Sequence, residues 1–465
     1  MSSTRRDFLR QTGCAMLGMG AFAAGIQDFG LVNALAQSAA TDYKALVCVF
    51  LNGGNDGTNT VIPLDGEYTN YFNVRNPAGL ALPNQGAGSL LTINAPSHGR
   101  QFGFHPSMTD MQTLFNDGKL AVLCNAGPLI EPLTRATYRD NTGRRPLQLF
   151  SHFDQVNQWL TSISNDNSKT GWGGRMADRT TTLNGPATFP QMVSIAGVNL
   201  FITGAATRPF AIADARTSLA TVLPLTMTGS SAEISSRRAA FDLIRAQSDG
   251  ARLVKAAADT TTSALQTSAA LANTSGQPPL RDFPNTTLGY QLEQVARLIQ
   301  LRDALGMKRQ VFFCSLGGFD THNNQMAANS HASLWTQVSQ ALKTFYDTTV
   351  DLGIADKVTT FTHSDFGRTF QPAGTGAGVG SDHGWGGHHL IIGGAVRGGD
   401  FYGRYPTLAL GGPDDTDTRG RFIPTTSVEQ YAATLATWYG LSSNDLSLVF
   451  PLIGRFATPN LGFML

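Results

Sequence analysis

Five short apolar runs, spread from one end of the chain to the other, restrict the fold more than any other feature. They are Lys44–Leu51, Lys119–Cys124, Gln310–Leu316, Val358–Thr362 and His389–Ile392. Each is continuous rather than alternating, as expected of a strand covered on both faces. Stretches with helical patterning lie between them, at Pro106–Asp117, Ser151–Ile163, Thr287–Leu305 and His331–Leu352. Strands alternating with helices predict a mostly parallel sheet in an α/β sandwich. Such a sheet needs a large apolar core, and 42% hydrophobic against 14% charged residues fits one. The 465 residues are enough for two domains, but no charged linker or repeat divides them, so residues 37–465 are read as one domain. Within it, the segment from about 195 to 284 is rich in Ala, Thr and Ser and is read as a helical insertion or cap.

The N-terminus has a different character. Thr4-Arg5-Arg6-Asp7-Phe8-Leu9-Arg10 is a paired-arginine opening, Thr12 to Ile26 is mildly apolar and rich in Gly and Ala, and Ala34-Leu35-Ala36 is a small-residue cleavage pattern. The apolar stretch is too short to span a bilayer stably. Residues 1–36 are therefore read as a twin-arginine signal that exports the chain already folded, to the periplasm or beyond. The net charge is +1, and the signal carries three Arg against two Asp. A chain cut after Ala36 is then neutral, which disfavours nucleic acid and an anionic membrane surface. No span remains once the signal is gone. Cys48, Cys124 and Cys314 each lie in an apolar, strand-like run and are read as buried free thiols rather than a disulfide.

The polar residues gather at the ends of these strands. The first run leads into Asn52-Gly53-Gly54-Asn55-Asp56-Gly57, and a later one into Gly317-Gly318-Phe319-Asp320-Thr321-His322. The next leads into His363-Ser364-Asp365-Phe366-Gly367-Arg368, and the last is preceded by Ser381-Asp382-His383-Gly384-Trp385-Gly386-Gly387-His388-His389. Ligands of open α/β sheets bind beyond the carboxyl ends of the strands. The fourth cluster joins the others there if its strand runs antiparallel. Asp and His so placed suit a divalent ion, Zn²⁺ or a harder ion such as Ca²⁺ or Mg²⁺. Taken singly, each group has a plainer explanation. Asp56 suits a turn, Asp320 a cap, and Asp365 a pair with Arg368. Ser151 with Asp154 makes a helix N-cap. One of His388 and His389 suits the edge of the core. Joint placement at the ends of separate strands favours the ion.

The segments FLNGGNDGTNTVIP, SHFDQVNQW, GWGGRMAD, GGFDTH, SDFGRT, DHGWGGHHLIIGG and RFIPTTSVEQYAATLATWYG resemble the bacterial domain of unknown function 1501, from about Ala45 to Leu441. That family is grouped with the alkaline phosphatase and sulfatase superfamily. The resemblance implies a three-layer α/β/α sandwich with a metal site at the strand ends. It implies Asp56, Asp320, His322, Asp365 and His383 as ligands of one or two ions, and Ser151 as a nucleophile opening a helix. Arg368 and His388 are the implied substrate contacts. The sequence departs from the superfamily pattern at Phe366, where a histidine ligand is expected. The remaining half-site of Asp56, Ser151 and Asp365 offers only oxygen, which suits Ca²⁺ or Mg²⁺. His363, His388 and Asp382 are alternative sources of the missing ligand. The expected function is metal-dependent hydrolysis of phosphate or sulfate esters, small or polysaccharide. The alternative is a non-catalytic envelope protein that binds or assembles with a protein partner. A redox enzyme is disfavoured, because no GxGxxG follows a strand and no CxxC occurs.

Overall fold

The computed structural model describes residues 39–222, 231–246, 251–272 and 277–465. The expected export signal lies outside them. In chain order the strands are β1 Lys44–Leu51, β2 Val61–Pro63, β3 Leu91–Ala95, β4 Arg100–Phe104, β5 Leu120–Gly127, β6 Met192–Ser194 and β7 Phe210–Ala211. They continue with β8 Arg309–Leu316, β9 Val358–Ser364, β10 Arg368–Ala373, β11 Gly380–His383, β12 Gly387–Gly393, β13 Phe401–Tyr402 and β14 Thr426–Ser427. The main helices are α1 Gly66–Arg75, α2 Thr109–Asn116, α3 His152–Thr161, α4 Trp172–Thr180, α5 Thr287–Gln300, α6 His331–Asp351 and α7 Val428–Tyr439.

Nine strands form one sheet in the order β13-β5-β12-β9-β1-β8-β6-β7, with β14 also paired to β5. Every neighbouring pair is parallel except the two that β12 makes, with β5 and β9. The five apolar runs of the sequence are β5, β12, β9, β1 and β8, the five contiguous central strands. Their side chains alternate between two cores. Ala45, Val47, Val49 and Leu51 of β1 enter one, and Leu46, Cys48 and Phe50 enter the other. Helices α2, α5 and α6 cover the first core, and α3, α4 and α7 the second. The chain is thus a three-layer α/β/α sandwich. Coverage on both faces is why the strands read as unbroken apolar runs. Each fully buried Leu, Ile or Phe contributes roughly 1.5–3 kcal/mol, so the sheet is a rigid platform for what its edge carries.

The segment read as an insertion also supplies the edge strand β7. It further holds helices Ala232–Ala246, with no buried residue, and Arg252–Ala272, with Thr267, Ser268 and Leu271 buried. Among the described residues no helix is long and apolar enough to cross a membrane. Cys48, Cys124 and Cys314 are buried and unpaired.

Candidate metal centre

Three parallel neighbours end level with one another. Leu51 of β1 is in register with Leu316 of β8 and with Ser364 of β9. The loops that follow, at 52–57, 317–322 and 365–367, therefore leave from one edge. Strand β12 runs the opposite way, so it begins at that same edge and brings the preceding His383 there. The antiparallel direction on which the fourth cluster depended is what the structure has.

Four side chains meet at this edge. Donor atoms of His152, Asp320, His322 and His383 all lie within 4.8 Å of one another. Nε2 of His322 is 2.7 Å from Nε2 of His383 and 3.2 Å from Oδ1 of Asp320. Nε2 of His152 is 3.5 Å from the same carboxylate oxygen. The other nitrogen of each ring is anchored. Nδ1 of His383 is 2.7 Å from the Phe150 carbonyl oxygen, Nδ1 of His152 is 2.7 Å from Oδ2 of Asp365, and Nδ1 of His322 is 3.1 Å from Oδ1 of Asp382. A carbonyl or carboxylate oxygen only accepts, so these Nδ1 atoms carry the protons and the three Nε2 lone pairs face inward. Two lone pairs 2.7 Å apart repel unless a proton or cation lies between them. Nε2 of His152 is moreover a buried nitrogen with no hydrogen-bond partner. Imidazoles oriented by outer acceptors are the usual surroundings of a metal, and a donor set of three nitrogens and one oxygen suits Zn²⁺ better than Ca²⁺ or Mg²⁺.

The outer residues are themselves fixed. Asp382 pairs with Arg419; burial pushes its carboxyl up, but Arg419 and His322 hold it below the ordinary range. The hydrogen bond to Asp365 raises the basicity of His152. Burial lowers that of His383, against the opposing pull of the Phe150 carbonyl. Phe150 sits at φ +70°, in the left-handed region that a bulky residue seldom enters. That conformation costs on the order of 1–3 kcal/mol and accompanies the aim of its carbonyl at His383. Gly54, at φ +87°, is required because a Cβ there would lie 2.4 Å from the Phe366 ring. That ring packs 4.7 Å from both His152 and His383. Phe366 thus forms a wall beside two imidazoles.

Several expected site residues stand elsewhere. Asp56 is fully buried, and Arg75 grips both its oxygens, at 2.6 and 3.1 Å. Gln325 and Thr58 donate to the same carboxylate. Burial pushes its pKa up, but Arg75, with His331 and Gln325, brings it down to about 2. With its lone pairs occupied in this way, Asp56 is outside the four-residue group. Asp365 is one bond removed: it accepts from Gly53 N–H at 2.8 Å and from His152, and so orients a histidine. The oxygen-only half-site of Asp56, Ser151 and Asp365 therefore does not assemble. Arg368 is buried and donates to the carbonyls of Gly53, Gly54 and Ser381 and to Asp320, which makes it a brace for Asp320 rather than a free anion clamp. His388 is buried against Tyr405, with rings stacked 4.7 Å apart, and its Nδ1 accepts from Asn125 N–H. Burial lowers its pKa to about 4, and it does not face the group. His363 is buried against Trp159. Ser151 caps α3, with its hydroxyl 2.6 Å from Asp154, while its neighbours Phe150 and His152 both touch the group.

Sequence reasoning missed His152. Its one signal is position, as the first helical residue after an N-cap at the start of a stretch already singled out. A cavity of about 440 Å³ opens beside the group, with His152, Asp320, Asp365, Asn52 and Gly53 in its lining. A larger one, about 990 Å³, is bordered by Glu293, Arg297 and Gln300 of α5. Its arginines 216, 281 and 297 are paired with Asp214, Asp351 and Glu293, and the histidine group is not there.

An α/β/α sandwich bearing three histidines and an aspartate at the carboxyl edge of its sheet defines the class of protein. The chain belongs to the family described as Protein of unknown function (DUF1501), whose model matches residues 43–416. No curated protein matches it. Similarity to solved structures is distant. Ps i-CgsB in complex with k-i-k-neocarrahexaose aligns over 90% of this chain and 77% of its own, at 10% identity and TM-score 0.35. The C-terminal periplasmic domain of EcEptC from Escherichia coli, in complex with Zn, aligns over 88% and 87%, at 8% identity and TM-score 0.36. The PsFucS1 sulfatase from Pseudoalteromonas sp. aligns over 82% and 69%, at 10% identity and TM-score 0.30. These likenesses assign neither a residue nor an activity.

Proposed function

We propose that this chain is an exported, metal-dependent hydrolase of phosphate or sulfate esters, working with a zinc-type ion on His152, Asp320, His322 and His383. One observation carries the reading: three inward Nε2 atoms and one carboxylate oxygen converge, each ring is anchored from outside, and Nε2 of His152 is buried without a hydrogen-bond partner. An ion held there supplies Lewis acidity and the positive charge that an anionic ester requires. The chain's own residues do the rest. Asp365, Asp382 and the Phe150 carbonyl hold the imidazoles in one tautomer, and Arg368 steadies Asp320. Ser151 is the proposed nucleophile. Its hydroxyl has an acceptor for its proton in Asp154, 2.6 Å away, and it lies between two residues that both contact the group. The helix N-terminus there favours developing negative charge. Twin-arginine export fits the reading, since it allows an ion to be loaded before transport.

The test is elemental analysis of protein purified without chelator, with turnover of p-nitrophenyl phosphate and p-nitrophenyl sulfate. One ion per chain, and activity lost in Asp320→Asn and Ser151→Ala, is the expected result; absence of both ion and turnover would sink the reading. A second reading rests on the number of ligands. Four protein donors make the closed shell of a structural zinc site, whereas catalytic sites keep a position open. On that reading the ion stabilises a non-catalytic envelope protein with a binding partner. Bound ion, no turnover on a broad ester panel, and intact physiological function in Ser151→Ala would favour it.

A further inference from the structure

We infer that the ester handled at this centre carries an apolar, ring-sized group rather than a polyanionic chain; this rests on the hydrolase reading above. The lining of the cavity beside the histidines is of two kinds. Its lining includes the carboxylates of Asp320 and Asp365 and an apolar set, Phe153, Val156, Leu160 and Leu200. Three of those four wall residues belong to α3, the helix that begins with His152. Residues 152, 156 and 160 recur every four positions along one side of a helix, with 153 beside them. The wall is therefore a rigid continuation of the element that presents an imidazole to the centre. Val156 and Leu200 pack against the second core, and Leu160 belongs to it, so the wall cannot fold away. Phe153 is 78% exposed, an unusual placement for a large aromatic side chain beside a polar centre, and its ring is free to stack on a ligand.

Charge decides against the alternative. No Lys or Arg lines the cavity. Arg368, whose guanidinium reaches Asp320, is buried and bound to that carboxylate and to three backbone carbonyls. With no lysine or arginine in that lining, an ion at the centre would supply the positive charge, which suits one anionic head. A multiply sulfated polymer requires further cations along its length, and the cavity offers two carboxylates instead. A volume of about 440 Å³ lies in the range of small-ligand pockets, large enough for a headgroup and a ring.

Two non-hydrolysable probes that share one head test this: phenylphosphonate and methylphosphonate, titrated calorimetrically into full-length protein loaded with Zn²⁺. Phenylphosphonate is expected to bind about tenfold more tightly, corresponding to about 1.4 kcal/mol, and Phe153→Ala to remove most of that ratio. Phe153 is exposed, so the variant is expected to fold, which circular dichroism checks. Equal affinities for the two probes, with zinc bound, would overturn the inference and leave the hydrolase reading standing. Tighter binding of a sulfated oligosaccharide than of phenylphosphonate would also overturn it. Failure to bind either phosphonate would remove both readings.

Discussion

His152 stands in the four-residue group where sequence suggested Asp56 as a ligand, and single substitutions separate the two. His152→Ala removes a buried nitrogen from the four-residue group, so ion affinity should fall by at least a hundredfold in a competition titration with a chelating dye. Asp382→Asn leaves the ligands in place but weakens the anchor on His322; outer-shell losses of this kind cost about 10–100-fold in affinity. Asp56→Asn should behave in the opposite manner. It strands the fully buried Arg75 guanidinium, which costs about 3–5 kcal/mol in urea unfolding, while ion stoichiometry stays unchanged. An Asp56→Asn protein of ordinary stability that no longer binds the ion would contradict the placement. Asp320, His322 and His383 were legible because polar residues at strand ends are informative. The partners of Asp56 were not: Arg75 is 19 residues away and Gln325 269 away, and no local pattern ties them together. His152 was hidden for a related reason, since only the direction in which a helix starts reveals where its first side chain points.

At the scale of elements, the five central strands were readable and the short ones were not. Runs of seven or eight residues buried on both faces leave a continuous apolar trace, whereas β6, β7, β13 and β14 have two or three residues each, too few to carry a period. The antiparallel sense of β12 had to be assumed, because sequence does not encode strand direction. The loop after β1 depends on Gly54. Gly54→Ala places a methyl against the Phe366 ring at a φ that alanine tolerates poorly. The two imidazoles packed on that ring should shift, lowering ion affinity by about tenfold with the sheet intact by circular dichroism. Helix α7 makes a separate prediction about pH. Glu429 in its first turn is buried, with Oε1 accepting from Leu452 N–H and Oε2 lacking a partner. Burial raises its pKa from 4.5 to about 8. The folded chain thus keeps a proton that the unfolded chain releases, and stability falls as pH rises between those values. The loss should be on the order of 3 kcal/mol from pH 5 to pH 8, and Glu429→Gln should flatten it in denaturation curves taken across that range.

For the whole molecule, the candidate ligands come from three separate stretches of chain, so an ion there would bind the native state and not the unfolded one. A free concentration a hundredfold above Kd would add about 2.7 kcal/mol of apparent stability. EDTA should therefore lower the melting temperature of wild-type protein and leave His152→Ala unmoved. The three-layer architecture was legible because helices and strands alternate through the sequence. The assembly of distant loops was legible only as an expectation, since it depends on strand order.

The unpaired thiols of Cys48, Cys124 and Cys314 lie at the heart of the sheet. In a native chain lacking residues 1–36, Ellman's reagent should find none of the three, and should find all of them after guanidinium is added. An oxidising compartment would cross-link such sulfurs in any chain that arrived unfolded. If the chain is exported as proposed, crossing the membrane after its core has closed would protect these sulfurs, and a version threaded through as an extended polymer would be expected to accumulate as scrambled disulfides.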